Sequence, residues 1–107
     1  MPQFIVKVLL QDVDNDDVYE ELDSAMAEEE GYPYLAGENE SVFALPPDCY
    51  EFEVEMTADA LLNLVKLITA TIEKKYKLKK SPLLVIETQN LRFANLQQLS
   101  EEDFKDE

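Results

Sequence analysis

An α+β domain, with two helices laid over one face of an antiparallel sheet, is the fold class this sequence predicts, and three observations predict it. Phe4 to Leu10 and Tyr50 to Met56 alternate with the two-residue period of strands. Val18 to Met26 and Leu61 to Ile72 repeat with the 3.6-residue period of helices. A last apolar run, Leu83-Leu84-Val85-Ile86, has strand length and follows Pro82, which suits the start of a strand at a sheet edge.

Phe4, Val6, Val8 and Leu10 fall on one face of the first strand and Ile5, Lys7 and Leu9 on the other. Asp12, Asp14, Asp16 and Asp17 then suit a turn and a helix N-terminus. Apolar positions at Val18, Tyr19, Leu22, Ala25 and Met26 give an amphipathic helix that Gly31 is expected to stop. After a turn-rich stretch, Ser41 to Leu45 reads as a strand ending at Pro46-Pro47. Tyr50, Phe52, Val54 and Met56 alternate with Glu51, Glu53 and Glu55, one buried face against one solvated face. Thr57 is expected to cap the second helix, with Leu61, Leu64, Val65, Ile68 and Ile72 on its inner stripe. The order β-α-β-β-α-β is the split β-α-β, or ferredoxin-like, pattern: a four-stranded antiparallel sheet with both helices on one face. It is assigned to residues 1–89. Residues 90–107 form a C-terminal extension with Leu91, Phe93, Leu96 and Leu99, then Ser100-Glu101-Glu102-Asp103, which suits the start of a short helix, and an acidic tail.

The 107 residues suit a single core. No stretch reaches the roughly 18 apolar residues that span a bilayer, and the opening segment lacks the basic and small-residue features of a signal peptide. A cytoplasmic protein with no membrane partner is expected. Histidine is absent and Cys49 is the only cysteine, which excludes histidine-based catalysis, disulfides and paired-thiol metal sites. Two glycines and no phosphate-binding loop argue against a nucleotide cofactor.

The formal charge is −15, and it is unevenly spread. Residues 1–59 hold 17 acids against Lys7, whereas residues 60–100 hold seven bases against Glu73 and Glu87. A field of that polarity favours basic partners over phosphate backbones.

Four constellations carry candidate chemistry. Asp12 and Asp14, at the end of a strand, are candidate ligands for Mg²⁺ or Ca²⁺, with helix capping as the alternative. An EF-hand is excluded, because the required glycine is Asp17 and the bidentate glutamate Asp23. Glu28, Glu29 and Glu30 sit where the helix macrodipole disfavours negative charge, so with Tyr32 and Tyr34 they mark a candidate surface for a basic partner, with an ordinary solvated face as the alternative. Glu51, Glu53 and Glu55 extend that acidic surface or simply face solvent, with Lys7 expected opposite them. Lys74, Lys75 and Lys77 head a basic run that either holds phosphates or satisfies a helix C-terminus.

The succession Phe4 to Leu9, then Tyr19-Glu20-Glu21-Leu22-Asp23-Ser24-Ala25-Met26 closed by Glu30-Gly31-Tyr32, then Val42-Phe43-Ala44-Leu45-Pro46, Cys49-Tyr50-Glu51-Phe52 and the helix from Thr57, resembles the GhoS-like antitoxins of type V toxin-antitoxin systems. The resemblance spans roughly residues 4–90. It implies a ferredoxin-like fold related to small CRISPR-associated nucleases, endoribonuclease activity on a toxin messenger RNA, and a homodimer in which the trailing segment, here residues 90–99, adds to the partner's sheet. Members of the family carry basic residues on the first helix where this chain has Glu20, Glu21 and Asp23. An RNA-cutting site here would therefore rely on Asp12 or Asp14 holding Mg²⁺ to activate water, with Lys74, Lys75 and Lys77 on phosphates. The alternative is a non-catalytic acidic inhibitor, phage- or plasmid-encoded and of anti-CRISPR or anti-restriction type. As a nucleic-acid mimic it would occupy the basic surface of a nucleic-acid-handling protein.

Overall fold

The computed structural model describes residues 1–36, 41–92, 94 and 96–99. In chain order they form β1 (Gln3–Val8), α1 (Asp17–Glu28), β2 (Gly31–Tyr32), β3 (Tyr34–Ala36), β4 (Val42–Ala44), β5 (Cys49–Glu53), α2 (Ala58–Tyr76), β6 (Leu83–Thr88) and β7 (Gln98–Leu99). The expected class, α+β with antiparallel sheets and two helices, is what forms. The expected helix start at Ser100 lies outside the described residues, as does Phe93.

β1 is the centre of the main sheet because both of its edges are used. It pairs with β5 through Phe4↔Phe52 and Val6↔Tyr50, and with β6 through Val6↔Val85 and Val8↔Leu83. β2 adds to the far side of β5, so the order is β2-β5-β1-β6. Phe4, Val6, Val8, Tyr50 and Phe52 point to the face that both helices cover, where they meet Val18, Leu22 and Met26 of α1 and Leu61, Val65 and Ile72 of α2 in one cluster. That inner face is the apolar half of the alternation seen in the sequence.

The sequence places 41–45 in this sheet, and the structure corrects that. Val42–Ala44 pairs instead with Tyr34–Ala36 and with Gln98–Leu99, making a second sheet of order β3-β4-β7. The strand beside β5 is the two-residue β2. The trailing segment, expected to join a partner's sheet, contributes β7 within its own chain through Val42↔Leu99 and Phe43↔Gln98. Leu35 of β3 is buried, and with Leu91 and Leu96 it walls a cavity of about 300 Å³ against Ile5 and Cys49, on the outer face of the main sheet.

Helix ends explain themselves locally. Thr57 is extended, and its Oγ1 accepts from the Ala60 amide at 3.1 Å, a cap that contributes about 1 kcal/mol. Lys77 closes α2 in the left-handed conformation at φ 59°. At the start of α1 the aspartates are not the cap: Asp16 makes no side-chain cap bond, and Asn15 Oδ1 accepts from the Asp17 amide at 2.9 Å. α1 ends one step earlier than Gly31 suggests, with Glu30 in the left-handed region at φ 69°.

Candidate functional site

The acids at the end of α1 and those of β5 are far apart in sequence and come together at one border of the main sheet. Glu28 ends α1, Glu29 caps it, and Glu30 turns the chain into β2. Gly31 lies opposite Phe52 and Tyr32 opposite Glu51. Continuing that antiparallel register sets Glu30 beside Glu53. Two local preferences are set aside to build this corner. Three carboxylates at a helix C-terminus are unfavourable by a few tenths of a kcal/mol each, and a left-handed non-glycine residue adds about 1 kcal/mol.

Gly31 is spent on packing. A Cβ at that position would lie 2.5 and 2.6 Å from the ε carbons of the buried Phe52 ring, well inside van der Waals contact. Only glycine lets β2 approach β5 so closely, and the backbone reversal therefore falls on Glu30. Tyr32 and Tyr34 stack at 5.3 Å beside this corner, with planes inclined by 22°.

Glu51 and Glu53 share the outer face of β5. Glu51 Oε2 accepts a bond from Gln3 Nε2 at 3.0 Å. Partial burial pushes the Glu51 carboxyl above its usual range, Gln3 opposes the rise and neighbouring Glu53 adds to it. A carboxyl with a raised folded-state value stabilises the fold only when protonated, and that contribution fades as pH rises from the unfolded value through the folded one. Glu51→Gln should therefore raise the thermal midpoint at pH 7, and the advantage should disappear as pH falls below about 4. Thermal melts of both proteins across that range measure it, and a pH-independent difference would discount the effect.

Two parts of the expected acidic track are revised. β5 stops at Glu53, so Glu55 is exposed beyond the ladder and does not continue the row. Lys7 does not lie across from the glutamates: its partners are Cys49 and Leu84, while Glu51 faces Ile5 and Glu53 faces Gln3. The Cys49 thiol is pushed up, by burial first, with Lys7 pulling the other way and Asp48 adding to the rise. That is the environment of an unreactive thiol.

The basic run is partly committed to the protein's own acids. Lys75 Nζ contacts Glu21 Oε1 at 2.6 Å, and the Tyr76 hydroxyl donates to the same oxygen at 3.1 Å. The Lys75 bond is the main cause that lowers the Glu21 carboxyl, and the same contact raises the Lys75 ammonium. Lys79 Nζ lies 3.6 Å from Asp12 Oδ2. These pairs are solvent-exposed, and screening by water and salt leaves them little net effect on stability. Lys74 and Lys77 are exposed and have no ion pair among the described residues.

Asp12 and Asp14 are exposed on the turn from β1 to α1, and Asp12 holds φ 54°. Asp12 is turned toward a lysine, and no three His, Cys, Asp or Glu side chains converge to hold a metal among the described residues. Nor is any helix among the described residues long and apolar enough to cross a membrane.

Sequence reasoning missed the Tyr50 to Asp23 hydrogen bond, which ties β5 to α1. Tyr50 is buried, and burial first and Asp23 second raise its phenol far above the ordinary range, so the hydroxyl stays protonated as a donor. The pair borders a cleft of about 460 Å³ formed with Tyr19, Pro33, Leu45 and Pro46. Its only trace in the sequence is that Asp23 falls one helical turn after Tyr19. No family model and no curated protein matches the chain.

Proposed function

We propose that this protein is a non-catalytic binding module whose acidic border, Glu28, Glu29, Glu30, Glu51 and Glu53 with Tyr32 and Tyr34, occupies a basic surface of a nucleic-acid-handling protein. The observation that carries the proposal is the convergence of two distant acidic segments on one sheet border, built against both the helix dipole and the backbone preference of Glu30. Carboxylates recurring along β5 every other residue, about 6.8 Å apart, fit a surface made for phosphates.

The strand order β2-β5-β1-β6, with both helices on one face, supports a ferredoxin-like topology carrying an inserted hairpin. It thereby favours the second reading, a regulator of the GhoS-like antitoxin kind. In that reading the protein is a cytoplasmic antitoxin, and Lys74 and Lys77, which make no ion pair among the described residues, hold RNA phosphates.

One set of samples tests both. Anisotropy of a labelled arginine-rich peptide from a nucleic-acid-binding domain should report salt-sensitive binding, since exposed charges are screened beyond about 8 Å at physiological ionic strength. Neutralising Glu29, Glu30, Glu51 and Glu53 together to glutamine should weaken binding by about tenfold or more, roughly 0.3–0.5 kcal/mol per carboxylate. Neutralising Asp12, Asp14, Asp16 and Asp17 to asparagine changes the net charge equally and should have a much smaller effect. Equal losses would reduce the border to bulk charge and defeat the proposal. RNA cleavage dependent on Mg²⁺ and abolished by Asp12→Asn with Asp14→Asn would replace it with the enzymatic reading.

A further inference from the structure

The other border of the main sheet is unfinished in a specific way. β6 is the outermost strand, and its far side has no partner among the described residues. The phase of its free groups follows from the ladder. The Leu9 amide donates to the Pro82 carbonyl, and antiparallel bonds alternate, so Pro82, Leu84, Ile86 and Thr88 turn their backbone groups toward β1. Leu83, Val85 and Glu87 turn theirs outward.

Side chains on both faces of this border are equally incomplete. On the outer face Leu84 and Ile86 are 52% and 48% exposed. On the helix face Leu67 of α2 is 69% exposed at the rim of a groove of about 570 Å³, which Ala70 and Leu83 also line. Three of the chain's exposed large apolar side chains thus surround one unpaired strand. The groove also holds Lys66 and Lys80, which make no ion pair among the described residues, Glu73, whose carboxylate accepts from the Ser81 amide at 2.7 Å, and the buried Ser81 hydroxyl, which has no hydrogen-bond partner among them.

We propose that β6 pairs antiparallel with β6 of a second copy of this chain, about a two-fold axis through Val85. With Val85 opposite Val85, Leu83 falls opposite Glu87 and Glu87 opposite Leu83. That is the one self-pairing that joins all three outward-facing residues of each strand, about six hydrogen bonds in all. A slip by one pair in either direction loses a third of them. The same register sets Leu84 against Ile86 twice on the outer face, an apolar cross-strand pairing. On the helix face it brings Glu87 of the second copy beside Leu83, toward the donors Lys66, Lys80 and Ser81. Glu87 lies on that face because its partner on β1 is Phe4. The strand thus brings a carboxylate to a groove whose two lysines outnumber its one acid, Glu73, and the contact is self-complementary as a two-fold interface requires. The proposal is independent of the acidic border, which lies on the opposite side of the sheet.

Sedimentation velocity of the full chain over micromolar to submillimolar concentration should show a monomer–dimer equilibrium. Leu84→Lys alters an exposed side chain and puts a charge on the edge, so it should weaken the dimer about tenfold or more while circular dichroism stays unchanged. Val85→Pro removes an amide that no bond among the described residues uses and should do the same. Glu87→Lys should weaken association, and Glu87→Lys with Lys80→Glu should recover it. Hydrogen exchange at Leu83, Val85 and Glu87 should slow as concentration rises. A wild type that stays monomeric overturns the proposal, as does a dimer indifferent to Leu84→Lys and Val85→Pro. Protection of those three amides in dilute monomer also overturns it, because some other segment then covers the edge.

Discussion

Phe52→Ala should lower the free energy of unfolding by about 3–5 kcal/mol, a large part of the roughly 5–15 kcal/mol available to a domain of this size. Phe52 has no exposed surface, and it stands in the middle of the sheet between Phe4 on β1 and Gly31 on β2. Removing the ring leaves a void beside Phe4 and the Gly31 main chain, and paired strands cannot collapse inward as a loop might. At a urea dependence of about 2 kcal/mol/M, the midpoint should fall by about 2 M. A shift below about 0.5 M would mean that the ring is not enclosed by the two strands.

Gly31→Ala should destabilise from the opposite direction, by overfilling. In an ordinary strand alanine is favoured over glycine by roughly 0.5–1 kcal/mol because it restricts the unfolded chain. Here its methyl group would overlap the Phe52 ring, and forcing a methyl into a packed core loses about 1–3 kcal/mol. The second effect wins, so the net change should be a loss of about 1–2 kcal/mol. The two substitutions share one space, and a double-mutant cycle exposes the coupling. In a Phe52→Ala background, Gly31→Ala should become neutral or stabilising, an interaction of at least about 1 kcal/mol. Additive effects would show that β2 does not rest on the ring. Because β2 carries Glu30 to its place beside Glu53, Gly31→Ala should also weaken binding of the arginine-rich peptide.

How much of this was legible in the sequence depends on the range of each interaction. Thr57, the stripe through Leu61, Val65 and Ile72, and the alternation along Phe4, Val6 and Val8 are local patterns, and the structure uses each as read. The clustering of Glu28, Glu29 and Glu30 at a helix end was equally visible. Their meeting with Glu53 was not, because it depends on a register between segments more than twenty residues apart. β2 is two residues long, too short for any periodicity, and Gly31 reads as a helix stop when its role is to admit Phe52. The run 41–45 has good strand composition, but its pairing with Tyr34–Ala36 and Gln98–Leu99 is a tertiary choice that composition leaves open. The same holds for Lys79 lying 3.6 Å from Asp12, a pairing across the β1–α1 turn that composition leaves open.

The main sheet has two unlike borders, a short carboxylate-rich one at β2 and a long, bare, partly apolar one at β6. Joining two molecules through the bare border would produce a continuous eight-stranded ribbon with both acidic corners facing outward, about 34 Å apart at the usual strand spacing. Such a particle is divalent. A target with two cationic sites at that separation would be held by both, and its residence would lengthen by avidity with no new contact at either end.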